Sequence, residues 1–241
     1  MKDRHQDERV PNRRVFLRSG IIFSGAALAG AALLRGAEKE KQSEEKEIEV
    51  GPPEDLMREH GVLKRVLLIY GEALRRLGAK QDFPPDALAT AAGIIRSFVE
   101  DYHEKLEEDF LFPRFEKANQ LVDLVKVLRT QHQAGRRVTD ITLRLAHLQS
   151  LKNDSERAQL INSIQQFIHM YNPHEAREDT VLFPAFRKIV SLHEFDSLGE
   201  DFEKKEDELF GEDGFEKVVD KVAGIEKRLG IYDLAQFTPK T

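Results

Sequence analysis

Two stretches carry the residue types that do chemistry: HEKLEEDFLFPRF, from His103 to Phe115, and HEAREDTVLFPAF, from His174 to Phe186, 71 residues later. On a helix His103 and Glu107 lie about 40° apart in projection and Glu104 about 100° from the histidine, so one face presents an imidazole and two carboxylates. His174, Glu175 and Glu178 repeat that set. The chain has no cysteine, which excludes disulfides, iron–sulfur clusters, thiolate-bound haem and a cysteine nucleophile. A metal here is held by nitrogen and oxygen alone, a donor set that suits iron or manganese better than softer, sulfur-seeking ions. Glu107 and Glu178 arrive from opposite helices and are placed to bridge two ions. In the shared Leu-Phe-Pro, the Leu and Phe close the site against water, and Pro113 and Pro184 disturb or end their helices.

The elements that must position these groups read as helices, and the chain as all-α. Leu56, Leu63, Leu67, Tyr70, Leu74 and Leu77 recur at three- and four-residue steps, with His60 filling the open slot of the series. Gly78 ends this helix and AKQDFPP is a turn. Pro85 suits the first position of a second helix carrying Ile95, Phe98, Tyr102, Leu106 and Phe110, which should stop near Pro113 to Lys117. Asn119 is expected to cap a third, whose inner line is Leu121, Leu124, Leu128, His132, Gly135, Thr139, Thr142 and Ala146. The fourth follows Ser155 and turns Ile164, Phe167, Tyr171 and His174 inward, with Pro173 kinking it. Short connections give an up-down-up-down four-helix bundle.

Counting from each turn gives the heights of the histidines, because antiparallel neighbours at equal counts are level. His60 lies 18 residues before Gly78 and His103 lies 18 after Pro85; His132 lies 19 before Leu151 and His174 lies 19 after Ser155. Across the middle turn near Ala118, His103 is 15 residues before and His132 is 14 after. All four histidines fall in one layer.

His5, His147, His169 and His193 lack such partners and read as ordinary histidines. Glu108 and Asp179 read as acids that are solvated or orient a ligand histidine. Tyr102 and Tyr171 read as packing residues, and Glu175 as a weaker echo of Glu104. Glu100 with His103 also spells Glu-x-x-His, but the ferritin-like di-iron proteins need that motif twice.

Taken together, REHGVLKR, DYHEKLEEDFLFP, TQHQAGRR and HEAREDTVLFP resemble the hemerythrin-like family, the HHE cation-binding helical bundles. The resemblance covers about residues 54–190 and implies a bundle with a non-haem, oxygen-bridged di-iron centre that binds dioxygen or a related small molecule. It implies His60, His103, His132 and His174 as ligands, with Glu107 and Glu178 as bridges and two iron ions as the cofactor, manganese being the alternative. Oxygen-carrying members place a second histidine four residues after the one on the third helix, where this chain has Arg136. Members without that histidine use the carboxylate directly after the second-helix histidine, which implies Glu104 as a ligand. The departure turns the expectation from oxygen carriage to O2, NO or another small oxidant in sensing, protection or iron handling. The alternative is a di-iron peroxidase or oxidase, with Arg136 steadying a bound oxyanion.

The remaining segments set the context. Residues 1–37 resemble a twin-arginine export signal: Arg13 and Arg14, then Phe16-Leu17, Arg18 and a Gly/Ala-rich apolar run. From Gly20 to Leu34 an α-helix would span about 22 Å, short of the roughly 30 Å hydrocarbon core. Export to the periplasm or another extracytoplasmic space is expected, with membrane attachment only if the signal stays uncut. Residues 38–53 are a charged linker and 54–191 the bundle. Residues 192–241 form an acidic extension of two or three helices packed on its outside. Beyond residue 37 the chain carries 30 basic and 40 acidic side chains, a balance that repels nucleic acid and anionic membranes.

Overall fold

The computed structural model describes residues 50–239. Residues 1–37, where an export signal is expected, with nearly all of the linker and His5, lie outside the described residues. Among the described residues there is no strand, and no helix is long and apolar enough to cross a membrane.

Among the described residues seven α-helices form the fold. Helix α1 is Pro52–Gly78; its prolines occupy the first-turn positions where a missing N–H costs nothing, two residues earlier than the periodicity placed its start. Helix α2 is one rod over 85–118 and is not halted by Pro113. Then come α3 (Val122–Leu145), the short α4 (Leu148–Lys152) and α5, a second long rod over 154–186. The C-terminal pair is α6 (Leu192–Phe210) and α7 (Gly214–Leu229).

Helices α1, α2, α3 and α5 pack in a closed cycle, each against the next and α5 back against α1. Cross-bundle contacts run in opposite senses along neighbouring rods: Glu116 meets Arg129 while Arg96 meets Asp140, and His174 meets His132 while Ser163 meets Thr142. The fold is therefore an all-α bundle of antiparallel rods. Its core holds Leu56, Leu63, Tyr70, Phe98, Leu128 and Phe167, all nearly or fully removed from solvent. Helices α6 and α7 lie against α1 and α2, where Phe202 meets Phe110 and Phe210 meets Phe98 and Tyr102 with ring centroids 5.4–5.6 Å apart. From Gly51 onward the chain is one compact unit.

The backbone departs from a plain α-helix where the repeated motif lies. In α2 the turns widen over Ile95–His103 and again over Glu107–Leu111, and in α5 over Glu178–Leu182. Phe112 N–H bonds back five residues to the Glu107 carbonyl, and Phe183 N–H to that of Glu178. For the stretches Glu107–Leu111 and Glu178–Leu182 the prolines that follow supply the reason. In a plain α-helix the rings of Pro113 and Pro184 would press on the carbonyls four residues earlier, and the wide turn absorbs that conflict without ending the rod.

Two readings of the α2–α3 junction are corrected. Asn119 does not open α3; it closes α2 in a left-handed conformation with φ 52°, a role Asn fills readily. The inner line of α3 begins at Val125, fully buried, while Leu121 and Leu124, before and within its first turn, are only partly covered. Asn119→Gly should leave stability unchanged or raised, whereas Asn119→Val should cost about 1–2 kcal/mol in urea unfolding.

Candidate metal centre

Four buried histidines from four rods meet in one layer: the His60 and His103 rings lie 4.7 Å apart and the His132 and His174 rings 5.0 Å apart. Each turns Nδ1 outward to an oxygen and Nε2 inward. His103 Nδ1 lies 2.7 Å from Glu59, His132 Nδ1 3.1 Å from Glu108, His174 Nδ1 2.9 Å from the Gln131 amide oxygen, and His60 Nδ1 2.7 Å from Asp179. The acceptors form a cycle around the bundle: α1 serves α2, α2 serves α3, α3 serves α5 and α5 serves α1. Since a carboxylate or amide oxygen only accepts from a ring N–H, each Nδ1 carries a proton, and a ring that is neutral leaves a lone pair on Nε2.

Those lone pairs have nothing suitable to face. His132 Nε2 lies 3.2 Å from His174 Nε2 and 3.4 Å from Glu107, and Glu178 lies 3.1 Å from His174 Nε2 and 3.5 Å from His60 Nε2. All four carboxylate oxygens of Glu107 and Glu178, and Nε2 of His60, are buried with no hydrogen bond. Converging acceptors without donors are costly in a dry core unless a cation joins them. Two donors bound to one ion at about 2.1 Å and at right angles stand about 3 Å apart, which matches these separations. The ligand atoms fall into two groups, Glu107–His132–His174–Glu178 and His60–His103–Glu107, each compact enough for one ion and sharing Glu107.

Electrostatics point the same way. Burial, reinforced by the charge of Glu178, drives the Glu107 carboxyl well above its usual range. Burial would raise Glu178 too, but His174 and His60 hold it well below. Burial pulls His103 and His132 down, so their rings stay neutral. His60 is opposite: burial alone would lower it, but Asp179 and Glu178 outweigh that and raise it to about 9. Without a metal, then, a proton on His60 supplies part of the missing positive charge.

Phenylalanines seal the layer. Phe112 stacks on His132 and Phe183 on His60, each with centroids 5.5 Å apart and planes within 24°. These are the Phe residues of the two Leu-Phe-Pro runs, and they hold the rings while excluding water. Leu111 and Leu182 are fully buried beside them.

The structure thus brings together His60, His103, Glu107, His132, His174 and Glu178. Glu104 is also buried, but it sits on the Nδ1 side of His132, 4.0 Å from that atom. The nearby set Glu104–Glu108–His132 has metal-ligand spacing, but the Arg136 guanidinium already fills it, 2.7 Å from Glu104 and 2.9 Å from Glu108. Arg136 is therefore committed to carboxylates and not presented as an oxyanion holder. Tyr171 is more than packing, because its hydroxyl donates to Glu104. Glu175 pairs with Lys64, and Glu100 with Arg96 at 2.9 Å. His147 bonds within its own turn to Ser150, and His169 and His193 are exposed.

Glu59 and Gln131 were missed by sequence reasoning. Each directly precedes a site histidine, and a neighbour on a helix points about 100° away, toward the adjacent rod and its histidine. Glu108 and Asp179 do the same on the other two rods, each directly following a site glutamate.

Replacing Gln131 with Leu removes the acceptor that orients His174 and should weaken metal affinity about 10–100-fold, read by competition with a chelator. In metal-free protein the raised His60 pKa adds stability that is full below pH 6.5 and disappears as pH rises through about 9. The loss is at most about 3 kcal/mol. The melting temperature of apoprotein should fall across that window, and His60→Gln should flatten that limb.

A profile of the Hemerythrin HHE cation binding domain matches residues 52–186. The chain is 54% identical over 195 residues to Uncharacterized protein Mb2018 of Mycobacterium bovis, covering 81% of this chain and 76% of that protein. It matches Uncharacterized protein Rv1995 of Mycobacterium tuberculosis to the same extent, 54% over 195 residues with 81% and 76% covered. No solved structure matches. The profile spans the four rods that carry the histidine layer, and this chain belongs to the hemerythrin HHE cation-binding family.

Proposed function

We propose that the layer holds two iron ions and binds O2, nitric oxide or a related small oxidant, in sensing, protection or iron handling. The observation that carries this reading is the pair of ligand groups sharing Glu107, six buried residues with nitrogen and oxygen donors and no lysine or arginine among them. His103, His60, His132 and His174 would hold the ions through Nε2, with Glu107 and Glu178 spanning them. Hard carboxylates with imidazoles favour iron, with manganese as the alternative. Iron supplies a redox-active Lewis acid for a small ligand; the chain itself fixes the imidazole tautomers, excludes water and balances the charge.

A binding role is favoured over peroxidase or oxidase turnover, because Arg136, the group that would steady an oxyanion, has both arms on Glu104 and Glu108. Export through the twin-arginine route is part of the proposal. That route carries folded proteins, so the centre would be filled before translocation, in keeping with donors drawn from all four rods.

Elemental analysis of natively purified protein should find two irons per chain, and its spectrum should change between air and reductant. Glu107→Ala should drop iron to one per chain or less. A metal-free wild-type chain that folds normally would sink the reading, and rapid steady-state consumption of peroxide or nitric oxide would favour the enzyme instead.

A further inference from the structure

Glu104 is 1% exposed and follows a site histidine directly, yet its oxygens face partners outside the ligand layer, Oε2 through an ion pair without a hydrogen bond. Oε1 accepts the Tyr171 hydroxyl, and Oε2 lies 2.7 Å from Arg136 Nη2. The guanidinium is itself fixed: Nη1 lies 2.9 Å from Glu108 Oε1, and Nη2 reaches the Glu100 carbonyl at 3.3 Å. That carbonyl lies within the widened turns of α2, where the Glu104 N–H bonds back to Val99. Room for the tyrosine comes from Gly135, where a Cβ would stand 2.5 Å from the Tyr171 hydroxyl oxygen.

The other half of the bundle has a looser counterpart. Lys64, four residues after His60 as Arg136 is four after His132, pairs with Glu175, the residue after His174. The Lys64 side chain is 48% exposed, whereas that of Arg136 is 21% exposed and engages two carboxylates. A buried carboxylate needs a counter-charge, and for Glu104 the choice lies between Arg136 and the metals.

We propose that Arg136 and Tyr171, with Gly135 making the space, latch Glu104 away from the metals and so keep a coordination position open for an external ligand. This rests on the di-iron reading above. Arg136, Tyr171 and Gly135 are positioning residues: release of Glu104 lets it enter the centre and compete with that ligand.

The test is azide titration of the ferric full chain, followed by its charge-transfer absorption, with iron measured for each variant. Wild type should hold two irons and bind one azide. Arg136→Met should keep both irons and bind azide at least 10-fold more weakly, and Arg136→Met with Glu104→Ala should regain wild-type affinity. Should Arg136→Met lose iron, Tyr171→Phe with and without Glu104→Ala makes the same comparison. The latch is overturned by a wild type that holds iron but binds no azide, by a releasing variant that binds azide as wild type does, or by iron loss in Glu104→Ala alone. A double variant as weak as Arg136→Met also overturns it, since Arg136 would then attract the anion directly. A wild type that takes up no iron defeats the metal-centre reading, a result distinct from any of these.

Discussion

The structure turns on an electrostatic deficit at the centre of the bundle. Glu107 and Glu178 keep four carboxylate oxygens in a dry layer without a single hydrogen bond, and the imidazoles beside them turn lone pairs inward. Hydrogen bonds among the neutral groups cannot repair the deficit, because the Nδ1 protons are committed to the outer acceptors, and without a metal a proton on His60 offsets only part of it. Only added positive charge makes the layer favourable. The stacked phenylalanines and the leucines beside them sharpen the demand by keeping water out.

The same demand explains the duplicated motif. The halves α1–α2 and α3–α5 each supply a Glu or Gln before one histidine, and a His-Glu-x-x-Glu-acid run leading to Leu-Phe-Pro. Each outer acceptor serves a histidine on the next rod, so the cycle closes only when all four rods are present. The wide turns at Glu107–Leu111 and Glu178–Leu182 fall at equivalent places, because the prolines that cause them are part of the repeat. The halves differ where Arg136 and Tyr171 hold Glu104, against Lys64 alone on Glu175. The asymmetry lies beside the centre, where a ligand would be distinguished.

Much of this was legible in the chain. The leucine and aromatic stripes marked four rods, and equal counts from the turns brought His60, His103, His132 and His174 to one height. The stripe of α3 was misread at its start because Asn119 suits either end of a helix, and its left-handed φ assigns it to the end of α2. The second rod was expected to stop near Pro113 to Lys117 and ends at Ala118; a local change of helical pitch carries it past the proline. Glu104 was expected as a ligand from the family resemblance. Nothing in the local spacing shows that Arg136, 32 residues later, lies 2.7 Å from its carboxylate.

By itself the sequence determined the rods, their order, the level of the histidines and the absence of cysteine ligands, since these follow from helical period, turn residues and composition, which are local properties. Tertiary structure alone decided which oxygen receives each Nδ1 proton, which acids face one another unpaired, and which acid is neutralised by an arginine. Those outcomes depend on distances of a few ångströms between residues far apart in the chain. Coulomb and hydrogen-bond energies change sharply over that range, and no one-dimensional spacing encodes it.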